Sequence, residues 1–201
     1  MQRKSFFAVY YNLFYNFAPM IRKFWSFIYY RLLGWKSDLR IEIPNKCVFC
    51  VAPHTSNWDF IMGKIFYATL LGKIHFLMKK EWFFFPLGYI FKAMGGVPVD
   101  RKNKNSSLTE QMIERFKESK EFRLAISPEG TRKKTTQWKT GFYYIALGAK
   151  VPISLAHIDY VKKEIGLSLN FLPTGNVEAD MEKIKNYYSG FQGKYPELFS
   201  I

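Results

Sequence analysis

Beyond residue 36 the chain alternates short apolar, β-prone runs with segments of helical period. The run 47–52 reads as a buried strand that stops at Pro53. Residues 59–71 read as a helix closed by Gly72, a residue suited to the position after a helix end. A short strand at 74–78 leads into an aromatic stretch, 81–94, and a further extended piece at 97–99. In 107–119, Leu108, Met112, Ile113 and Phe116 form the inward stripe of a charged amphipathic helix. A strand at 122–126, a helix at 141–147 closed by Gly148 and a strand at 151–156 follow. A loop from Pro173, a helix at 177–188 and a polar tail complete the pattern. Alternation of this kind predicts an α/β domain whose strand-to-helix connections carry the function. No stretch has a linker's composition, so 37–201 reads as one domain.

The first 36 residues follow another pattern. No charge lies between Ser5 and Ile21, but Asn12, Asn16 and Pro19 interrupt that run, which is short for the ~20 residues of a membrane span. It also lacks the small-residue cleavage site of a signal peptide. Phe6, Tyr10 and Phe14, and Phe7, Tyr11 and Tyr15, recur at helical spacing, while Lys4, Asn12 and Asn16 share another face. Pro19 ends or kinks that helix, and 22–35 reads as a second one with Phe24, Phe27 and Ile28 on its apolar face. Arg3, Lys4, Arg22, Lys23, Arg31 and Lys36 face no acidic residue in this segment. An amphipathic aromatic helical pair with basic partners suits the headgroup layer of a bilayer. Residues 1–36 are thus expected to associate with a membrane; a pair packed on the domain's own core is the alternative.

Charge sharpens the choice of partner. Among 201 residues, 30 Lys and Arg against 16 Asp and Glu leave a formal charge of +14, and aromatic residues reach 19%. A mean hydropathy of -0.15 excludes a polytopic membrane protein. No recognised nucleic-acid motif is present, so a surface of anionic lipids is the expected partner and nucleic acid is not. Two cysteines cannot make a disulfide scaffold and point to a reducing compartment. Cys47 and Cys50 stand at i and i+3, on opposite faces of a strand, and no second pair exists; neither zinc nor redox chemistry is expected there.

Three clusters could carry chemistry. His54 directly follows a buried strand, where α/β sheets place their ligands, and Asp59 lies in the first turn of the next helix. A carboxylate on one imidazole nitrogen leaves the other to take a proton from a hydroxyl. Ser56-x-x-Asp59 is equally a capping box, and both duties can coexist. Ser127-Pro128-Glu129-Gly130-Thr131-Arg132 again follows a strand. Its glycine lets backbone amides approach an anion, its arginine can grip phosphate, and Lys133, Lys134 and Lys139 add positive field. Gly95 to Arg101 repeats the scheme of strand end plus arginine. His75 is expected to be structural, and His157, with Asp159 on its strand face, is a weaker candidate.

Taken in order, His54-x4-Asp59, Val97-Pro98-Val99-Asp100-Arg101, Pro128-Glu129-Gly130-Thr131-Arg132 and Val151-Pro152-Ile153 resemble the four motifs of the 1-acylglycerol-3-phosphate acyltransferase family. Lys79-Lys80-Glu81-Trp82 and Trp138-Lys139-x-Gly141 resemble connecting stretches of the same family. The resemblance implies a single-domain fold with a mixed sheet flanked by helices. It implies transfer of a fatty acyl group from acyl-CoA or acyl carrier protein to a lysolipid hydroxyl, at the cytoplasmic face of a membrane, by a peripheral enzyme. His54 would be the general base and Asp59 its orienting partner. Lys79, Arg101 and Arg132 would hold the acceptor phosphate, and Glu129, Gly130 and Thr131 would shape its pocket. No metal or further cofactor is implied. Pro53, Pro98 and Ser154-Leu155-Ala156 depart from the family's pattern and leave the acceptor open between lysophosphatidic acid and another lysolipid. A lipid-binding protein without catalysis on the same fold is the rival class.

Overall fold

Strand β2 (Lys46–Ala52) is apolar nearly throughout because it lies at the centre of a sheet covered on both faces. The computed structural model describes residues 20–70, 73–99 and 107–201. Its other strands are β1 (Lys36–Leu39), β3 (His75–Lys79), β4 (Gly96–Val99), β5 (Phe122–Ile126), β6 (Ile153–Asp159) and β7 (Glu164–Phe171). They form one sheet in the order β1-β7-β6-β2-β5-β3-β4. Neighbours run parallel except β6 and β7, which are antiparallel, so the sheet is mixed.

The helices are α1 (20–32, its second half Phe27–Leu32 π-helical), α2 (Asn57–Thr69), α3 (Leu87–Ala93), α4 (Leu108–Glu118), α5 (Gly141–Ala149) and α6 (Val177–Tyr188). On one face Val48, Cys50, Leu124, Ile153 and Leu155 meet Phe116 of α4, Phe142 of α5 and Ile184 of α6. On the other face Cys47, Phe49, Ala156 and Leu167 meet Tyr67 of α2, and Ile158 and Ile165 meet Met62 and Phe66. The two cysteines therefore sit in separate clusters, each a free buried thiol. Burial raises both thiols, Cys47 to about 11.

The predicted strand at 122–126 and helix at 177–188 coincide with β5 and α6. The aromatic stretch 81–94 divides into a 3-10 turn, Lys80–Trp82, and α3. Three expectations need correction. Helix α5 does not close at Gly148: it continues to Ala149 and ends on Lys150 in a left-handed conformation. Gly148 instead lets α5 approach α4, since a Cβ there would lie 2.4 Å from Ile113 Cδ1. The strand predicted at 151–156 lies at Ile153–Asp159, and β1 and β7 carry no prediction at all. In β7, Ile165, Leu167 and Leu169 alternate on one face and Gly166 lies on the other. His157 of β6 pairs with that position and its ring fills the space over it: a Cβ on residue 166 would stand 2.2 Å from His157 Cε1. Gly72, expected to close α2, lies outside the described residues, and the helix ends at Thr69.

Residues 1–19, which include the first predicted aromatic helix, also lie outside the described residues. Of the second helix, Tyr29 is buried against Phe66, and Trp35 just beyond it packs into the same cluster, while Met20, Phe24, Phe27 and Leu32 are exposed. No helix among the described residues is long and apolar enough to cross a membrane.

Candidate active site

His54 follows β2 at the carboxyl edge of the parallel strands β2, β5 and β3. Ser56 caps α2 by accepting from the Trp58 N–H, and Asp59 completes the capping box. The buried Asp59 Oδ2 accepts from the N–H groups of Thr55 and Ser56, each at 2.8 Å, and lies 3.1 Å from His54 Nδ1. Its Oδ1 accepts from the Tyr160 hydroxyl at 2.8 Å. One carboxylate thus caps the helix and holds the imidazole at Nδ1, so Nε2 is the ring nitrogen that a proton-transfer role would use.

Glu129 lies beneath this pair, with Oε1 accepting the His54 backbone N–H at 2.7 Å. Burial pushes its carboxyl up to about 7; the bond from His54 opposes that rise and the Asp59 charge adds to it. Folded protein therefore retains a proton that unfolded chain has already lost, so this group lowers stability as pH rises from about 4.5 to about 7. Glu129→Gln is expected to remove that part of the pH dependence, flattening the difference between urea midpoints measured at pH 5 and pH 8.

The remaining predicted residues are placed unequally. Arg132 donates from Nη1 to Asn57 Oδ1 in the first turn of α2, which brings the guanidinium beside the His54 loop. The Gly130 N–H donates to Ser127 O within the turn, and the Lys139 side chain lies across the glycine. Thr131 Oγ1 accepts from the Lys133 N–H. Lys79 is exposed at the end of β3 and is not among the residues that line the cavity. Asp100 and Arg101 lie outside the described residues. His75 is half-buried with Nδ1 at 3.3 Å from Arg123 O, and burial lowers its pKa.

A cavity of about 750 Å³ opens at His54, Gly130, Thr131 and Arg132 and continues beneath α2 to Phe49, Phe66, Tyr67, Ile158 and Leu167. That volume falls in the ~300–1,000 Å³ range of small-molecule sites. His54, Thr131, Arg132 and Lys133 gather cationic and hydrogen-bonding groups in one part of the wall; elsewhere the lining is mostly hydrocarbon, with Lys64 and His157 among it.

His157 lines the cavity, but its contacts lie away from the His54–Asp59 pair. Its Nδ1 is 2.8 Å from the Tyr187 hydroxyl, its ring stacks on Phe191 at 4.0 Å, and Asp159 instead accepts the N–H groups of the following turn. Among the described residues, Asp38, His157 and Glu164 have donor atoms within 4.8 Å of one another. The Arg40 guanidinium already engages both oxygens of Asp38.

Two parts of the site are invisible in sequence spacing. Tyr160 lies 101 positions from Asp59 and belongs to no motif. The polar tail wraps the site: the Tyr195 N–H donates to Thr55 Oγ1, and Gly193 packs on Thr55 and Pro53. The distal strand pair brings in Tyr160, and the docked tail brings in Tyr195.

A family model of acyltransferases matches residues 39–155, which span His54, Asp59 and the Glu129–Arg132 turn. A search of curated proteins gave no match. Among solved structures, the chain is similar to the 1-acyl-sn-glycerophosphate (LPA) acyltransferase PlsC from Thermotoga maritima, with TM-score 0.56 and 16% identity over 88% of this chain and 81% of that one. The shared fold comprises the seven-stranded mixed sheet with helices on both faces. Matched over more than half its length, the chain belongs to the acyltransferase family and is an enzyme of that class.

Proposed function

We propose that this acyltransferase moves a fatty acyl group from acyl-CoA or acyl carrier protein to the hydroxyl of a lysophospholipid-type acceptor, with lysophosphatidic acid as the leading candidate. The observation that carries this reading is the His54–Asp59 pair at one part of a largely apolar cavity, with Arg132 beside it. His54 Nε2 takes the acceptor's proton as its oxygen attacks the thioester carbonyl. The new C–O bond forms, the C–S bond breaks, and the imidazolium returns the proton to the departing thiolate. Asp59 holds the imidazole and offsets its positive charge during this transfer. The acyl chain lies along the hydrocarbon wall beneath α2, and Arg132, with Arg101 as a further candidate, binds the acceptor phosphate. Glu129, Gly130 and Thr131 shape the turn that presents Arg132.

The enzyme is further proposed to work as a peripheral protein on the cytoplasmic face of a membrane containing anionic lipids. Beyond the 1–36 segment, support comes from Trp82, Phe84, Phe85, Tyr89 and Ile90 around α3, all exposed, with Phe85 at 82%. Aromatic rings beside lysines suit the bilayer interface.

A panel of phosphorylated and neutral lysolipid acceptors, offered with labelled acyl-CoA or acyl carrier protein, tests donor and acceptor together. Turnover of lysophosphatidic acid is expected; transfer confined to neutral acceptors would sink the phosphate reading. In the same panel, Arg132→Ala is expected to raise KM about 10-fold for phosphorylated acceptors, the loss of one charge-assisted hydrogen bond, and to leave neutral acceptors unchanged.

A further inference from the structure

Asp59 has a second attachment that the base reading does not use. Its Oδ2 is already shared by Thr55, Ser56 and His54, all from the stretch immediately before the helix. The Tyr160 hydroxyl alone among the described contacts reaches Oδ1, from the end of β6 on the far side of β2. Tyr160 is itself held at two points. Its backbone N–H donates to Gln192 O, and its ring stands edge-on to Trp35, with centroids 5.0 Å apart and planes at 87°. Trp35 in turn lies against Tyr29 at the end of α1.

We propose that Tyr160 is a positioning residue for the His54–Asp59 pair, and that Trp35 seats it, making the segment before β1 a support of the active site. The proposal rests on the reading of His54 as general base. The terminal torsion of an aspartate is broad, so a carboxylate held through one oxygen can swing about that atom. A donor on the other oxygen fixes the carboxylate plane, and with it the direction in which Nδ1 of His54 is held. Catalytic groups need such support, because displacements of about 0.5 Å already spoil productive geometry. Burial, reinforced by the neighbouring Asp59 charge, drives the Tyr160 hydroxyl far above its ordinary range, so it remains a donor wherever the enzyme works. Glu129 and Tyr195 are the other titratable neighbours of this pair.

Tyr160→Phe removes the hydroxyl and keeps the ring on Trp35. It is expected to lower kcat about 10-fold while KM for donor and acceptor stays within about two-fold, the signature of a lost orienting bond rather than a damaged binding site. Trp35→Phe is expected to lower kcat less, and the double variant to match Tyr160→Phe alone, because both act through one bond. Wild-type kcat in Tyr160→Phe, or a matching change in KM, overturns the proposal. Additive losses in the double variant overturn the role of Trp35. His54→Ala measured alongside separates the two levels. If it is inactive while Tyr160→Phe is normal, only the positioning role fails; if it turns over normally, the base reading fails and the positioning role with it.

Discussion

Replacing His54 with alanine is expected to lower kcat by roughly 10²- to 10⁴-fold, the usual contribution of a general base, while leaving the fold intact. The side chain is 26% exposed and, among the described residues, its ring makes one bond, to Asp59 Oδ2. That oxygen keeps the N–H groups of Thr55 and Ser56 when the imidazole is gone, so no buried charge is left alone. The melting temperature should stay within a few degrees, and binding to anionic vesicles should persist. Turnover of labelled acyl-CoA with a lysolipid separates the outcomes. A variant that keeps wild-type kcat removes His54 from the chemistry.

Asp59→Ala is expected to fail in both respects. The buried carboxylate accepts from two backbone N–H groups and a tyrosine hydroxyl, as well as orienting His54. Removing it leaves those donors unsatisfied, at about 1–3 kcal/mol each when buried, and removes half of a capping box. Part of that loss is recovered by water, since Tyr160 is half-buried, so a net destabilisation of roughly 3–5 kcal/mol follows. At about 2–4 °C per kcal/mol for a chain of this size, melting should fall by roughly 10 °C. Scanning calorimetry beside the turnover assay measures both. A stable but inactive Asp59→Ala enzyme would mean that the capping box contributes little, and a less stable but fully active one that orientation of His54 is not its role.

The contrast between these variants follows from how the site is assembled. Residues 54–59 were readable as a unit because a capping box and a His–Asp pair need short, fixed spacings. The turn from Ser127 to Arg132 was readable because it follows a strand. Tyr160 was not, because nothing near it in sequence distinguishes a tyrosine that ends a strand from one that reaches a carboxylate across the sheet. Lys79 shows the opposite case: it ends a strand at the correct edge, yet β5 stands between β3 and β2 in the sheet order, and the side chain is exposed away from the cavity.

The same division holds for the fold. Helical period located α4 and α6, and short continuous apolar runs located β2 and β5, within about a residue, since the helices bury one stripe and these central strands both faces. Strand β1 carries Lys36 and Asp38 in four residues and shows no apolar pattern; β7 does alternate, with Ile165, Leu167, Leu169 and Phe171, but the positions between include Glu164, Gly166 and Asn170, residue types depleted in strands. Each exists because a neighbour completes its hydrogen bonds: β7 on β6, and β1 on β7.

By itself, then, the sequence determined an α/β domain, an acyltransferase's ordered motifs and a His–Asp pair at a helix start, because all of these depend on contacts a few residues apart. Only the tertiary structure decided that Tyr160 reaches Asp59, that Trp35 stands behind Tyr160, that Glu129 is buried under His54, and that a cavity of about 750 Å³ lies beneath α2. Those features depend on strand order and on which face each residue presents, and the order of strands in a sheet is set by packing across the whole domain rather than by local propensity.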